Sequence, residues 1–181
     1  MEQISIQRIL QVEQPYTWPR RMAIWRVPDS YWKRTGQTPL LVAASQGRID
    51  LITLLIGHGA DIHARDNDGY GCLHLSARAE HYDVTKLFLD LGISVNARAN
   101  DDATPLHGAA VEGNLGIVKL LISKGADINA TKLSGVTPLM RAISYGHITI
   151  FRLLLEHGAT VGKHTYLLNL AKMQLRDTRE Y

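Results

Sequence analysis

Eight histidines, one cysteine and one pair of adjacent aspartates are the side chains of this 181-residue chain that could do chemistry. Histidine and cysteine bind zinc at short spacings, and two close carboxylates can act as acid and base. No His-x-x-x-His pair and no Cys–His cluster occurs, and Asp101 and Asp102 lie in a polar stretch typical of a solvated turn. Nucleophile-elbow, phosphate-loop and HExxH motifs are also absent. The sequence therefore predicts no catalytic residue, no metal site and no cofactor.

Two short phrases recur every 33 residues, and the units that they mark determine where these side chains lie. The second phrase, Gly-Ala-Asp-Ile at 59–62, recurs in the same register unchanged at 125–128 and in the forms Gly-Ile-Ser-Val at 92–95 and Gly-Ala-Thr-Val at 158–161. A strict period of this length indicates a stacked array of repeats. The first phrase comprises Thr38-Pro39-Leu40-Leu41, Gly71-Cys72-Leu73-His74, Thr104-Pro105-Leu106-His107 and Thr137-Pro138-Leu139-Met140.

Each unit is expected to contain two short helices and a polar turn. Threonine is a good N-cap and proline suits the first helical position, so Thr-Pro opens a helix. Gly47, Gly113 and Gly146 stand where that helix should end in left-handed backbone. A second, apolar helix follows, for example over 117–123. The next stretch, such as 66–69, should project as a turn-rich finger.

These phrases resemble the ankyrin repeat family, and the resemblance covers residues 36–162. It implies an all-α ankyrin-repeat solenoid of helix–turn–helix units with projecting β-turn fingers. It also implies a concave face, made of fingers and first helices, that binds another protein. By the same resemblance His74 and His107 make structural hydrogen bonds. Asn129, and less well Asn96, match asparagines that are hydroxylated in such arrays.

The register predicts three parts in the chain. Residues 1–35 form a leader rich in tryptophan and arginine, which does not follow the repeat. Residues 36–164 form four repeats. Residues 165–181 resemble another first helix without its finger, which is either a truncated fifth half repeat that caps the array or the cut end of a longer array.

The leader holds the excess positive charge of the chain. It has six basic and three acidic side chains, whereas the remainder has 14 of each. The array therefore has no bulk electrostatic reason to bind nucleic acid, and association through the basic leader is an alternative. Trp18, Trp25 and Trp32 are expected to cap the first repeat or to form a docking arm. If they instead cover the concave face as a lid, the protein would be an enzyme or small-molecule binder.

The sequence also favours a monomer inside the cell, in the cytoplasm or the nucleus. It has no apolar run near the ~20 residues that span a bilayer, and it lacks the plan of a signal peptide. The single cysteine excludes an intramolecular disulfide and fits a reducing compartment. Cys72 is expected to be packed and unreactive.

The second repeat departs from the pattern several times. Gly71 lacks the capping hydroxyl, and Cys72 replaces the proline. Glu80 occupies a glycine position, where left-handed backbone costs a side chain about 1 kcal/mol. We therefore expect the second repeat to be the least stable internal one, either through drift or because it was diverted to fit a partner.

Partner-binding residues are expected on the solvent-facing positions of fingers and first helices. Aromatic residues and arginine dominate binding hot spots, so Tyr70, Arg78, Arg98 and Tyr145 are the favoured anchors. Tyr70, Tyr145 and two aliphatic residues of the last finger are expected to be exposed. The further candidates are Trp32, Asn67, Asp68, Asn100, Asp101, Glu112, Leu133 and Val136.

Overall fold

The computed structural model describes residues 34–161, in which eight helices form four antiparallel pairs and no strand is present beyond one isolated bridge. The predicted all-α solenoid is confirmed. The leader tryptophans, Trp32 among them, and the expected half repeat at 165–181 lie outside the described residues. The helices are α1 (Pro39–Ser45), α2 (Ile49–Gly57), α3 (Cys72–Arg78), α4 (Tyr82–Asp90), α5 (Pro105–Glu112), α6 (Leu115–Ser123), α7 (Pro138–Ser144) and α8 (Ile148–Glu156).

The Thr-Pro phrase opens the first helix of a unit, as the sequence predicts. The Thr38 hydroxyl accepts a hydrogen bond from the Leu41 amide at 3.3 Å, and Thr137 does the same for Met140. Helix α3 follows Gly71, which offers no capping side chain. The second helix α6 starts at Leu115, two residues before the expected 117.

First helices lie closer to one another than second helices do. Their small residues make this possible, because Ala43, Ala44, Ala109 and Ala110 are fully buried between neighbours. The closer approach on the first-helix side bends the array, so the first helices and fingers line its concave face. Within residues 34–161, no helix is long and apolar enough to cross a membrane.

The core is a continuous seam between the two layers of helices. Phe88 and Phe151 are almost fully buried and fill it in the second and fourth repeats. Ile52 packs in the first part of the seam and Leu121 in the second, while Leu89 packs against both parts. Each repeat thus depends on its neighbours for most of its apolar burial.

Adjacent fingers are joined by single backbone hydrogen bonds. The amide of Asn100 donates to the Asp68 carbonyl at 2.9 Å, and the amide of Leu133 donates to the Asp101 carbonyl at 3.0 Å. A Cβ on Gly69 would lie 2.3 Å from the Asn100 side-chain oxygen, so this glycine makes room for the asparagine. At the next junction the glycine position holds Asp102, and leucine replaces the asparagine.

A second set of contacts joins the end of a first helix to a histidine in the following repeat. The His81 imidazole lies 3.0 Å from the Ser45 carbonyl, and His147 lies 2.7 Å from the Val111 carbonyl. Each ring covers the glycine that ends the preceding first helix. A Cβ on Gly47, for example, would lie 2.6 Å from the His81 ring.

At the junction between the second and third repeats, both the glycine and the histidine of this contact are replaced. Glu80 stands at the glycine position with φ 64°, which confirms the expected left-handed backbone. The residue that faces it is Asn114 in place of histidine, and its side chain caps α6 by accepting from Ile117 at 2.9 Å. The smaller asparagine therefore occurs in the repeat that follows the one first helix of residues 34–161 that ends in a residue other than glycine.

Replacing Glu80 by glycine is expected to raise the free energy of unfolding by about 0.5–1 kcal/mol. Glycine removes about 1 kcal/mol of strain from the left-handed backbone of the folded state. Part of this gain is offset because glycine also increases the entropy of the unfolded chain. Urea unfolding measures the difference, and hydrogen exchange over 71–95 should slow. The matched control is Glu156→Gly at the helical end of α8, which should destabilise by up to about 1 kcal/mol. Equal effects at both sites would contradict the assignment of strain to Glu80.

Candidate functional site

A shallow groove of about 170 Å³ runs along the concave face between the second and fourth repeats. Helices α3, α5 and α7 form its floor, and Tyr70, Ala103 and Lys132 of three fingers form its rim. The groove is open to solvent along its length. The residues that line it are Tyr70, His74, Arg78, Ala103, Thr104, His107, Gly108, Val111, Lys132, Arg141 and Tyr145.

Two histidines in the floor are structural, as the resemblance implies. His107 is 3% exposed; its Nδ1 accepts from the Thr104 amide at 3.2 Å, and its Nε2 donates to the Val136 carbonyl at 3.0 Å. His74 makes the equivalent bonds to the Gly71 amide and the Ala103 carbonyl. Burial lowers the pKa of His107 to about 4 and also lowers the pKa of His74. Both rings are therefore neutral near pH 7 and serve to join first helices to fingers.

Tyr70 is half-buried rather than exposed, which corrects the expectation. Its ring packs edge-on against the His74 ring, with centroids 5.5 Å apart. Its hydroxyl lies 3.5 Å from Asp101 Oδ2. Burial and the nearby carboxylate raise the pKa of Tyr70. The ring thus forms one wall of the groove and presents only part of its surface.

Two ion pairs bridge neighbouring repeats at the edges of the groove. Arg78 Nε lies 3.4 Å from Glu112 Oε1, and Lys132 pairs with Asp101. Partial burial opposes ionisation of Asp101, but the hydrogen bond from Lys132 and the amide of Ala103 hold its pKa below the usual range. The Arg78–Glu112 pair is exposed and contributes less than about 1 kcal/mol to stability, whereas the Lys132 side chain is largely buried. The two pairs neutralise two cations of the groove.

Several predicted finger residues bond to the neighbouring finger. Arg98 Nη1 donates to the Thr131 carbonyl at 3.3 Å, and Asn100 donates through its side chain to the Asn67 carbonyl at 2.9 Å. Asn67 in turn donates to the Arg34 carbonyl at 2.9 Å. The side chains are exposed, but they are already engaged in aligning the fingers. Arg98 is therefore a less available anchor than the sequence suggests.

The fourth repeat presents the most exposed apolar surface of the face. Leu133 at the finger tip is 75% exposed and Tyr145 at the end of α7 is 54% exposed, as expected. Val136 is half-buried, because its backbone closes the finger and accepts the His107 hydrogen bond. The two most exposed large hydrophobic side chains of the described residues thus belong to the fourth repeat, one at its finger tip and one at the end of α7.

The groove contains residues that the sequence did not predict as binding residues, among them Gly108, Lys132 and Arg141. A signal for two of them was present in the register. Arg141 and Gly108 share one position of the repeat with Val42 and Leu75. The residue at this position changes from aliphatic to glycine and then to arginine. This variation can be seen when the repeats are aligned by their period.

Cys72 and the helix-end histidines take no part in the groove. Cys72 is buried, as expected, and burial raises the pKa of its thiol to about 12, which disfavours the reactive thiolate. His58 and His157 bond through Nδ1 to carbonyls of their own helices at 2.8 Å.

Comparison with known proteins follows the repeat pattern. A family model described as ankyrin repeats (3 copies) matches residues 22–99 and 97–165. The potassium channel AKT2/3 of Arabidopsis thaliana is 44% identical over 48 residues, which is 26% of this chain and 6% of the channel. The Notch-regulated ankyrin repeat-containing proteins of Homo sapiens and Xenopus tropicalis are 40% identical over 48 residues, which is 42% of each relative. The chain thus covers less than half the length of these relatives.

Proposed function

The chain belongs to the ankyrin repeat family, and we propose that it binds another protein in the groove along its concave face. Ankyrin repeats are generally protein–protein interaction modules. The observation that carries the proposal is the cluster of Tyr70, Arg78 and Tyr145 in one groove. Tyrosine and arginine are the side chains that most often dominate binding energy.

The rigidity of the face supports this function. The floor is held by the buried hydrogen bonds of His74 and His107, and the fingers are aligned by bonds between neighbours. A partner would therefore meet a surface that is already ordered, so little conformational entropy is lost on association. We propose that a single copy of the chain acts in this way, inside the cell.

The shape of the groove favours a protein over a small molecule. At about 170 Å³ it is smaller than the ~300–1,000 Å³ of small-molecule sites, and it is open. Its histidines are committed to structural bonds, which leaves no acid or base in the floor. Because Arg78 and Lys132 are paired with carboxylates, the face also offers little attraction to nucleic acid. Small-molecule binding or nucleic-acid association would therefore have to involve the leader.

A paired substitution tests the proposal. Arg78→Ala with Tyr145→Ala should weaken partner binding at least about tenfold, because each removes a hot-spot side chain. Partners are captured from the native source by cross-linking, and their dissociation constants are then measured for both variants.

The matched control is Arg152→Ala with Tyr82→Ala on the second helices. These side chains are also exposed, one arginine and one tyrosine, but they lie on the other layer of the array. The control should bind as the wild type does. Equal affinity of the groove variant and the wild type for every captured protein would exclude the concave face as the binding site.

A further inference from the structure

We propose that the groove recognises a protein segment that presents a single aspartate or glutamate beside an apolar side chain, with the carboxylate paired to Arg141. This inference rests on the proposed function and specifies the partner of the same face. It depends on the charges of the groove, on the position of Gly108 and on the apolar surface of the fourth repeat.

The groove carries one uncompensated positive charge. Its lining includes three cations, Arg78, Lys132 and Arg141, and no carboxylate side chain. The first two are paired with Glu112 and Asp101 at the edges. Among residues 34–161, no ion pair or side-chain hydrogen bond engages the Arg141 guanidinium. A half-buried guanidinium without a partner favours a bidentate carboxylate from outside.

Gly108 lines the groove without a side chain of its own. It lies inside helix α5, where glycine costs about 0.5–1 kcal/mol relative to alanine. In the two preceding repeats the same position holds Val42 and Leu75, and in the next it holds Arg141. A Cβ on Gly108 would lie 3.3 Å from the Cβ of Arg78. The missing side chain therefore lets helix α5 pack closely against α3, which carries Arg78, and leaves this part of the groove uncovered.

Apolar surface flanks Arg141 on the same helix. Tyr145 follows by one helical turn, and its amide donates to the Arg141 carbonyl at 3.1 Å. Leu133 is the most exposed large hydrophobic side chain of the described residues. An apolar residue next to the acidic one would cover the Tyr145 ring, which would also shield the ion pair from water and strengthen it.

The charge balance favours a carboxylate over a phosphate. A phosphoryl group carries nearly two negative charges at neutral pH, whereas the groove offers one unpaired cation. To bind a dianion, the face would have to release Arg78 or Lys132 from its own carboxylate. A single carboxylate matches the groove as it stands.

Random peptides displayed on phage and selected on the full chain test the inference. The selected sequences should share an aspartate or glutamate beside an apolar residue. Synthetic copies are then compared with versions in which that residue is Gln or phosphoserine, on the wild type, Arg141→Ala, Gly108→Leu and the control Arg152→Ala.

Glutamine should weaken binding about tenfold or more on the wild type and on Arg152→Ala, and by less than twofold on Arg141→Ala. Gly108→Leu should weaken binding, and its helix content and cooperative unfolding are measured alongside to separate a blocked groove from a disturbed fold. The inference is overturned by selected peptides without a shared acidic residue, by tighter binding of the phosphoserine version, by a glutamine effect that persists on Arg141→Ala, or by the absence of any selected peptide. Partners that bind through Tyr145 and Arg78 without such a charge effect would preserve the proposed function and exclude this partner chemistry.

Discussion

Alanine at Gly113 is expected to lower the free energy of unfolding by about 3 kcal/mol. Gly113 ends α5 with φ 87°, and a side chain in left-handed backbone costs about 1 kcal/mol. The new Cβ would lie 2.4 Å from Cε1 of His147, so the imidazole must move. Its 2.7 Å bond to the Val111 carbonyl is then lost, which costs about 1 kcal/mol more, and packing at the junction suffers as well.

Two further variants separate the cost of a side chain in left-handed backbone from the cost of the contact with His147. Gly92 has the same φ of 87° with no atom within 4 Å of its Cβ position, so Gly92→Ala should cost only about 1 kcal/mol. His147→Asn reproduces the asparagine that the chain itself places opposite Glu80. In that background Gly113→Ala should also cost only about 1 kcal/mol. Urea unfolding of the four-member cycle provides the values. Additivity within about 0.3 kcal/mol would show that the imidazole does not set the requirement for glycine.

Acidification is expected to destabilise the array well above the range in which carboxylates titrate. The pKa of His107 falls from 6.5 in the unfolded chain to about 4 in the folded one, because burial disfavours the imidazolium. Below pH 6.5 the unfolded state therefore binds more protons, and stability falls as pH falls. The loss is about 2 kcal/mol by pH 5 and about 3 kcal/mol in total for this residue alone. His74 acts in the same direction.

Urea unfolding between pH 7 and pH 5 checks this expectation. His107→Gln removes the titrating group, so the variant should be less stable than the wild type at pH 7 but should lose less stability on acidification. The double variant with His74→Gln should have the flattest profile. A wild-type free energy of unfolding that stays constant between pH 7 and pH 5, or a loss that is unchanged in the double variant, would contradict the buried neutral state of these rings.

Much of the fold could be predicted because its causes are local. Thr38 and Thr137 cap helices through their own hydroxyls, and proline follows each of them at the first helical position. The left-handed backbone at Glu80 follows from its place in the register. The structural role of His107 and the burial of Cys72 could also be assigned from the repeat.

The candidate site could be predicted only in outline. Exposure of Tyr145 and Leu133 follows from their register. The availability of a side chain does not, because it depends on what the next finger offers. Arg98 reaches a carbonyl in the following repeat, whereas Arg141 meets no partner among the described residues. Both are arginines on the same face, and only their surroundings distinguish them.

The sequence by itself determined the repeat unit and the Thr-Pro starts and glycine ends of its first helices, because these depend on a period of 33 residues and on backbone preferences within one unit. Tertiary structure alone decided which residues meet across a junction. Gly47 and His81 are 34 residues apart, and Gly69 and Asn100 are 31 apart, since stacked units contact each other with an offset that the period does not contain. Stacking of the units is also what places the change at Glu80 at the same junction as that at Asn114, and what places Gly108 in the groove.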